Sequence, residues 1–287
     1  MKPEVHGFFH EPTSTVTYLV ADPASKKAAL IDPVLDFDPA SGKVWRESVN
    51  GVLDGADRLG LSIAWILETH AHADHLSGAR IAHARTGAPV VIGARIRAVQ
   101  DIFAPRFLAD DITPDYQAFD RLVDDGEELP LGGLRIRVLH TPGHTPACVT
   151  YLIGDAAFVG DTLFMPDYGA ARADFPGGDA ATLYRSIRKI LALAPETRVF
   201  VGHDYKAPGR DVFAWESTVA AQRASNIQIN DAVDEATFVA ARNKRDATLA
   251  APRLLLPSLQ VNIRGGRLPP PDADGVIRLR IPISVAE

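Results

Sequence analysis

Apolar positions along the chain switch repeatedly between strand-like runs and helical spacing, which predicts strands and helices interleaved from end to end. Thr15–Val20 and Ala28–Ile31 are β-branched or apolar and flank the turn-forming Asp22-Pro23-Ala24-Ser25, so two early strands are expected. The stretch Asp36-Phe37-Asp38-Pro39-Ala40-Ser41-Gly42 reads as a loop. From Trp45 to Leu59 the residues Val52, Leu53, Ala56 and Leu59 recur at helical spacing. Ile63–Leu67 is apolar without alternation, as a strand buried on both faces would be. Leu76–Thr86 predicts a helix and Pro89–Ile92 a strand. Phe103 to Asp125 reads as an acidic loop interrupted by Pro105 and Pro114.

Beyond that loop, Leu134–Leu139, Val149–Ile153 and Ala156–Val159 predict successive strands. Ala180–Leu193 predicts a helix with Leu183, Ile187, Ile190 and Leu191 on one face, and Val199–Val201 another strand. Trp215 to Leu249 reads as mostly helical. The proline-rich tail ends in an expected strand, Val276–Ile281. No linker and no internal repeat divides the sequence. The simplest reading is one α/β domain over 1–287, with its core to about residue 235 and a C-terminal extension over roughly 236–287.

Composition narrows the function classes. With 46% hydrophobic and 23% charged residues, 287 residues suffice for one large core. A net charge of −6 and the lack of any basic run argue against a nucleic-acid partner. An anionic substrate would therefore need a few placed cations rather than a global field. The single cysteine, Cys148, rules out an internal disulfide and a thiolate metal cluster, and it suits a reducing compartment. No stretch reaches the roughly 20 apolar residues that cross a bilayer. A soluble cytoplasmic protein without a membrane partner is expected.

The chemistry concentrates in histidines that follow strands. Thr69-His70-Ala71-His72-Ala73-Asp74-His75 comes directly after the Ile63–Leu67 strand and offers four potential ligands in six positions. In an extended segment His70 and His72 point the same way, while a tightening loop would turn Asp74 and His75 toward a neighbouring site. Thr141-Pro142-Gly143-His144, Gly160-Asp161-Thr162 and Gly202-His203-Asp204 repeat one plan: an apolar strand, a glycine, a ligand-type side chain. Four such segments at one sheet edge predict a metal site. His83 and His140 read as surface or supporting residues, His6 and His10 as structural, and Cys148 as a small core residue.

The set His70-x-His72-x-Asp74-His75, His144, Asp161 and His203 resembles the metallo-β-lactamase superfamily pattern, which implies an αββα four-layer sandwich with a metal site at one edge of the two sheets. In that pattern Asp161 can bridge two metal positions. Thr69–Gly78, Pro142–Thr150 and Arg172-Ala173-Asp174-Phe175 resemble the persulfide dioxygenase family. Asp174–Asp179, His203–Arg210 and Leu256–Asn262 resemble its longer bacterial branch. The resemblance implies a single Fe(II) per chain held by His70, His144 and Asp161. His72, Asp74, His75 and His203 would be supporting residues or ligands of an unused second site. Many relatives carry a cysteine near the Arg-x-Asp-Phe segment, where this chain has Ala170, Ala171 and Ala173.

A two-histidine, one-carboxylate face leaves positions for substrate and O₂. The implied reaction oxidises glutathione persulfide with O₂ to sulfite and glutathione, in sulfide detoxification. Arg172, Lys206 and Arg210 are the expected partners of the glutathione carboxylates, with Tyr205 as a hydrogen-bond donor. A sulfurtransferase is the expected source of the persulfide. The apolar Leu254-Leu255-Leu256 run suits packing on the core or on a second subunit, and a homodimer is expected. All seven ligand types would equally serve a two-zinc glutathione thioester hydrolase of the glyoxalase II type.

Overall fold

The computed structural model describes residues 2–113 and 115–285; Pro114 of the acidic loop lies outside them. Strands β1 (Glu4–His10), β2 (Thr15–Ala21) and β3 (Lys27–Ile31) form an antiparallel meander. A hairpin of β4 (Val34–Asp38) and β5 (Lys43–Trp45) leads into α1 (Glu47–Arg58) and then β6 (Ser62–Leu67), parallel to β3. The short β7 (Leu76–Ser77) joins the hairpin. After it come α2 (Ala79–Thr86), β8 (Val90–Gly93), α3 (Ile96–Phe103) and β9 (Arg121–Val123). The first large sheet has the order β1-β2-β3-β6-β8-β9.

The second sheet keeps sequence order. It runs through β10 (Glu128–Leu131), β11 (Leu134–His140), β12 (Val149–Ile153) and β13 (Ala156–Phe158). The chain then passes through α4 (Ala180–Leu191) to β14 (Arg198–Phe200), parallel to β13, and β15 (Glu216–Thr218). Helices α5 (Val219–Ser225), α6 (Glu235–Asp246) and α7 (Leu255–Asn262) follow.

The period-2 pattern of the strands builds the layers. On β2, Val16, Tyr18 and Val20 join Ala29, Ile31, Leu67 and Val91 to meet Ile136, Val138, Tyr151, Ile153 and Phe158 of the other sheet. The alternate residues Leu19, Ala21, Ala28 and Leu30 pack outward on Val49, Val52, Leu53 and Ala56 of α1. On the far side, Ala157 and Val199 pack on Leu183, Ile187 and Ile190 of α4. Helix, sheet, sheet, helix is the αββα sandwich. Each fully buried Val, Leu, Ile or Phe among them contributes about 1.5–3 kcal/mol.

Several elements depart from expectation. The predicted loop at 36–42 spans most of the β4–β5 hairpin. Leu76 and Ser77 are strand, so the helix starts at Ala79. Trp215–Leu249 holds a strand as well as α5 and α6. Val276–Ile281 forms no strand: its backbone meets a side chain instead, with Gln260 Nε2 donating to the Arg280 carbonyl and Arg280 N–H donating to Gln260 Oε1, both at 2.8 Å. No helix among the described residues is long and apolar enough to cross a membrane.

Candidate metal centre

The carboxyl ends of β3, β6, β13 and β14, with the β11–β12 loop, converge where the two sheets come together. Val16 N–H donates to the Gly202 carbonyl at 2.8 Å, and Thr15 bridges His203, so the β2 start and the loop after β14 are stitched side by side. Gly143 has φ +133, and a Cβ there would overlap the backbone of Leu183. Glycine thus lets the loop pass against α4 and present His144. A Gly143→Ala chain is expected to lose about 2 kcal/mol or more of stability together with metal affinity. Denaturant unfolding and metal titration check this, and unchanged values for both would contradict it. At Gly202 a Cβ would stand 2.8 Å from Asp161 Oδ1, so the glycine gives that carboxylate its room.

Each histidine is oriented by a fixed partner. His144 Nδ1–H donates to the Arg172 carbonyl at 2.8 Å, which leaves Nε2 with a free lone pair. Thr69 Oγ1 donates to Asp32 Oδ2 at 2.8 Å, so it accepts from His70 Nδ1–H at 3.1 Å, and Nε2 of His70 is likewise bare. His203 Nδ1–H donates to the Ser14 carbonyl at 3.2 Å. The bare Nε2 atoms of His70 and His144 each stand 3.9 Å from Asp161 Oδ2, and His203 Nε2 stands 3.2 Å from Asp161 Oδ1. Asp161 is therefore shared between two groups of donors.

Those groups are His70, His144 and Asp161, and His72, Asp74, His75 and His203. Nε2 of His70, His75 and His203, Nδ1 of His72 and Asp161 Oδ1 are buried without hydrogen-bond partners. Leaving so many polar atoms unsatisfied would be costly, and a cation removes that cost. Burial, reinforced by the neighbouring His72, holds the His70 imidazole well below its usual range. Burial likewise pulls His75 down to about 4. Both stay neutral, the form that binds a metal. The residues present fit a metal ion.

Some supporting residues lie outside the set expected from the sequence. Asp32 Oδ1 stands 3.1 Å from His72 Nε2, and Glu68 Oε2 stands 3.5 Å from it. Asn262 of α7 donates from Nδ2 to the carbonyls of His72 and His75, both at 2.8 Å, and accepts from Ser77 N–H. The C-terminal extension thus braces the ligand loop from nearly 190 positions away. Asp32 follows the strand-then-ligand plan and could have been read from it. Asn262 could not.

A cavity of about 390 Å³ opens over His144, Asp161 and Asp74, walled by Phe164, Tyr168 and Tyr205 and rimmed by arginines. Arg172 and Tyr205 line it. Arg172 is nevertheless committed, with Nε and Nη2 each 2.6 Å from an Asp174 oxygen. Lys206 and Arg210 do not line it. The Lys206 ammonium sits 4.4 Å from the Phe213 ring centroid, and Arg210 is gripped by Asp167 and Asp204, which pushes its pKa further up. Both cations are held by these neighbours, away from the cavity lining.

The metallo-beta-lactamase superfamily model matches residues 10–203. The chain belongs to that superfamily. A probable metallo-hydrolase of Burkholderia pseudomallei is 51% identical over 97% of this chain and 98% of its own length. A beta-lactamase hydrolase-like protein of Xylella fastidiosa is 47% identical over 99% of the chain, which spans 66% of that relative. The bovine mitochondrial persulfide dioxygenase ETHE1 is 30% identical over 92% of this chain and 89% of its own length. The crystal structure of ETHE1 from Myxococcus xanthus superposes with a TM-score of 0.74 at 30% identity, covering 92% of this chain and all of that one.

Within this superfamily fold Cys148 is a packing residue. It is buried beside Thr145 Oγ1 at 3.1 Å, and burial pushes its thiol up to about 12. It is expected to ignore a thiol reagent at pH 8 in the native protein and to react fully in guanidinium. Fast native-state labelling would contradict this.

Proposed function

We propose that the chain is a persulfide dioxygenase, oxidising glutathione persulfide with O₂ at one Fe(II) held by His70, His144 and Asp161. The observation that carries the proposal is the layout of those three donors. Two imidazole nitrogens and one carboxylate come from three separate loops, and His144 and Asp161 border the cavity. Such a face suits a non-haem iron that must also receive a substrate and O₂. When bound, iron supplies the electrons that activate O₂.

The chain's own residues do the rest. Asp161 contributes the negative charge of the ligand set, and the Arg172 carbonyl fixes the His144 tautomer. Phe175, with its ring 5.8 Å from that of His144, backs the imidazole. Phe164, Tyr168 and Tyr205 pack against one another at centroid separations of 5.2–6.0 Å and give the cavity an aromatic wall. In balance, one persulfide, one O₂ and one water give one sulfite and one glutathione. The similarity to persulfide dioxygenases over most of the chain supports this reading.

A second reading is a two-metal thioester hydrolase. The group His72, Asp74, His75 and His203 favours it, as do the hydrolase names of more similar relatives. One preparation given both substrates separates the two. Persulfide-dependent O₂ uptake without thioester cleavage supports the dioxygenase. Thioester cleavage by zinc-loaded protein, with no O₂ uptake by iron-loaded protein, overturns it.

A further inference from the structure

Four arginines border the cavity over the metal centre, and two of them are already committed. Arg242 is buried, with Nη2 2.6 Å from Asp246 Oδ1 and Nη1 3.0 Å from the Ala170 carbonyl. Arg172 is held by Asp174 and by the Ala250 carbonyl. Arg245 and Arg253 differ. Both are exposed and line the same cavity, and no hydrogen bond or ion pair engages either guanidinium among the described residues. Asp38 feels the charge of Arg253 but forms no ion pair with it.

Their placement follows from the sequence. Arg242, Arg245 and Leu249 are spaced i, i+3, i+7 along α6 and its exit, and all three line the cavity. The turn after them brings Arg253 and Leu254 to the same cavity. The lining thus combines these arginines with the aromatic Phe164, Tyr168 and Tyr205 and with His144, Asp161 and Asp74. In a chain of net charge −6, two unneutralised guanidiniums beside a metal site are a local device for an anion.

We infer that Arg245 and Arg253 clamp the carboxylates of the glutathione moiety and so set the specificity of the site, an inference that rests on the substrate reading above. Guanidinium binds carboxylate bidentately, and neither arginine must give up an internal partner to do so. The apolar middle of the ligand would lie along Tyr168 and Tyr205, with its sulfur end toward the ligand set. The C-terminal extension would then carry the part of the site that selects among persulfides.

The test uses iron-loaded full-length protein and S-methylglutathione, an unreactive probe, in titration calorimetry. Arg245→Gln/Arg253→Gln protein is expected to bind it at least ~10-fold more weakly than the parent. Its KM for glutathione persulfide should rise in step, with kcat within about twofold and iron content unchanged. Arg245→Lys/Arg253→Lys should recover part of the affinity. Glutathione diethyl ester, its carboxylates masked, should bind parent and variant alike. Equal binding of S-methylglutathione by parent and Gln variant would overturn the clamp and leave the substrate reading standing. No binding by the parent would overturn the glutathione reading itself, and the clamp with it.

Discussion

Asp161→Ala protein is expected to lose metal and turnover together, each by well over the roughly 100-fold that removing a hydrogen bond behind a metal ligand costs. The reason is position. Its Oδ2 faces the bare Nε2 atoms of both His70 and His144, and its Oδ1 faces His203. Among the described residues no other carboxylate stands within ion-pair distance of all three histidines. Thr69→Ala is the graded control: it removes the acceptor for His70 Nδ1–H and should cost about 10- to 100-fold in metal affinity. Metal analysis after reconstitution and dialysis, alongside steady-state rates, checks both. Full metal retention by Asp161→Ala would remove the residue from the ligand set.

Asp246→Ala should be the most destabilising change away from the metal, by about 3–5 kcal/mol. Arg242 is 3% exposed, and Asp246 is the carboxylate that balances it. The same carboxylate accepts the Ala173 N–H at 2.8 Å, so its loss also frees the segment whose Arg172 carbonyl orients His144. A drop in urea midpoint with an unchanged m-value is the expected signature. A change under about 1 kcal/mol would mean that water reaches and solvates the arginine.

The layers and the clustering of ligand-type side chains were legible in the sequence for one physical reason. Strands buried on both faces read as apolar runs, and a glycine after such a run marks a turn too tight for a side chain. Hence His144, Asp161 and His203 could be named with their strands, and His70 with the strand before it. The β4–β5 hairpin was hidden because Asp36 to Gly42 combines turn formers with strand residues, and pairing across that turn decides the outcome. The tail was misread because alternation in Val276–Ile281 has no neighbouring strand to serve; Gln260 takes up the Arg280 backbone instead.

The cations were the hardest part. Lys206 and Arg210 follow a ligand segment in sequence, but the loop turns them onto Phe213, Asp167 and Asp204. Arg245 and Arg253 lie far from any ligand in sequence and reach the cavity by the packing of α6 on α4 and the turn that follows. Charge placement of this kind depends on tertiary contacts, which local spacing does not encode.

The central claim is persulfide oxidation at the site of His70, His144 and Asp161. The most direct measurement is O₂ uptake by anaerobically iron-loaded protein on addition of glutathione persulfide, with sulfite and bound iron assayed in the same samples. Rapid uptake, matched one-to-one by sulfite and proportional to iron at one per chain, is the expected result. Fully iron-loaded protein that consumes no O₂ would contradict the claim.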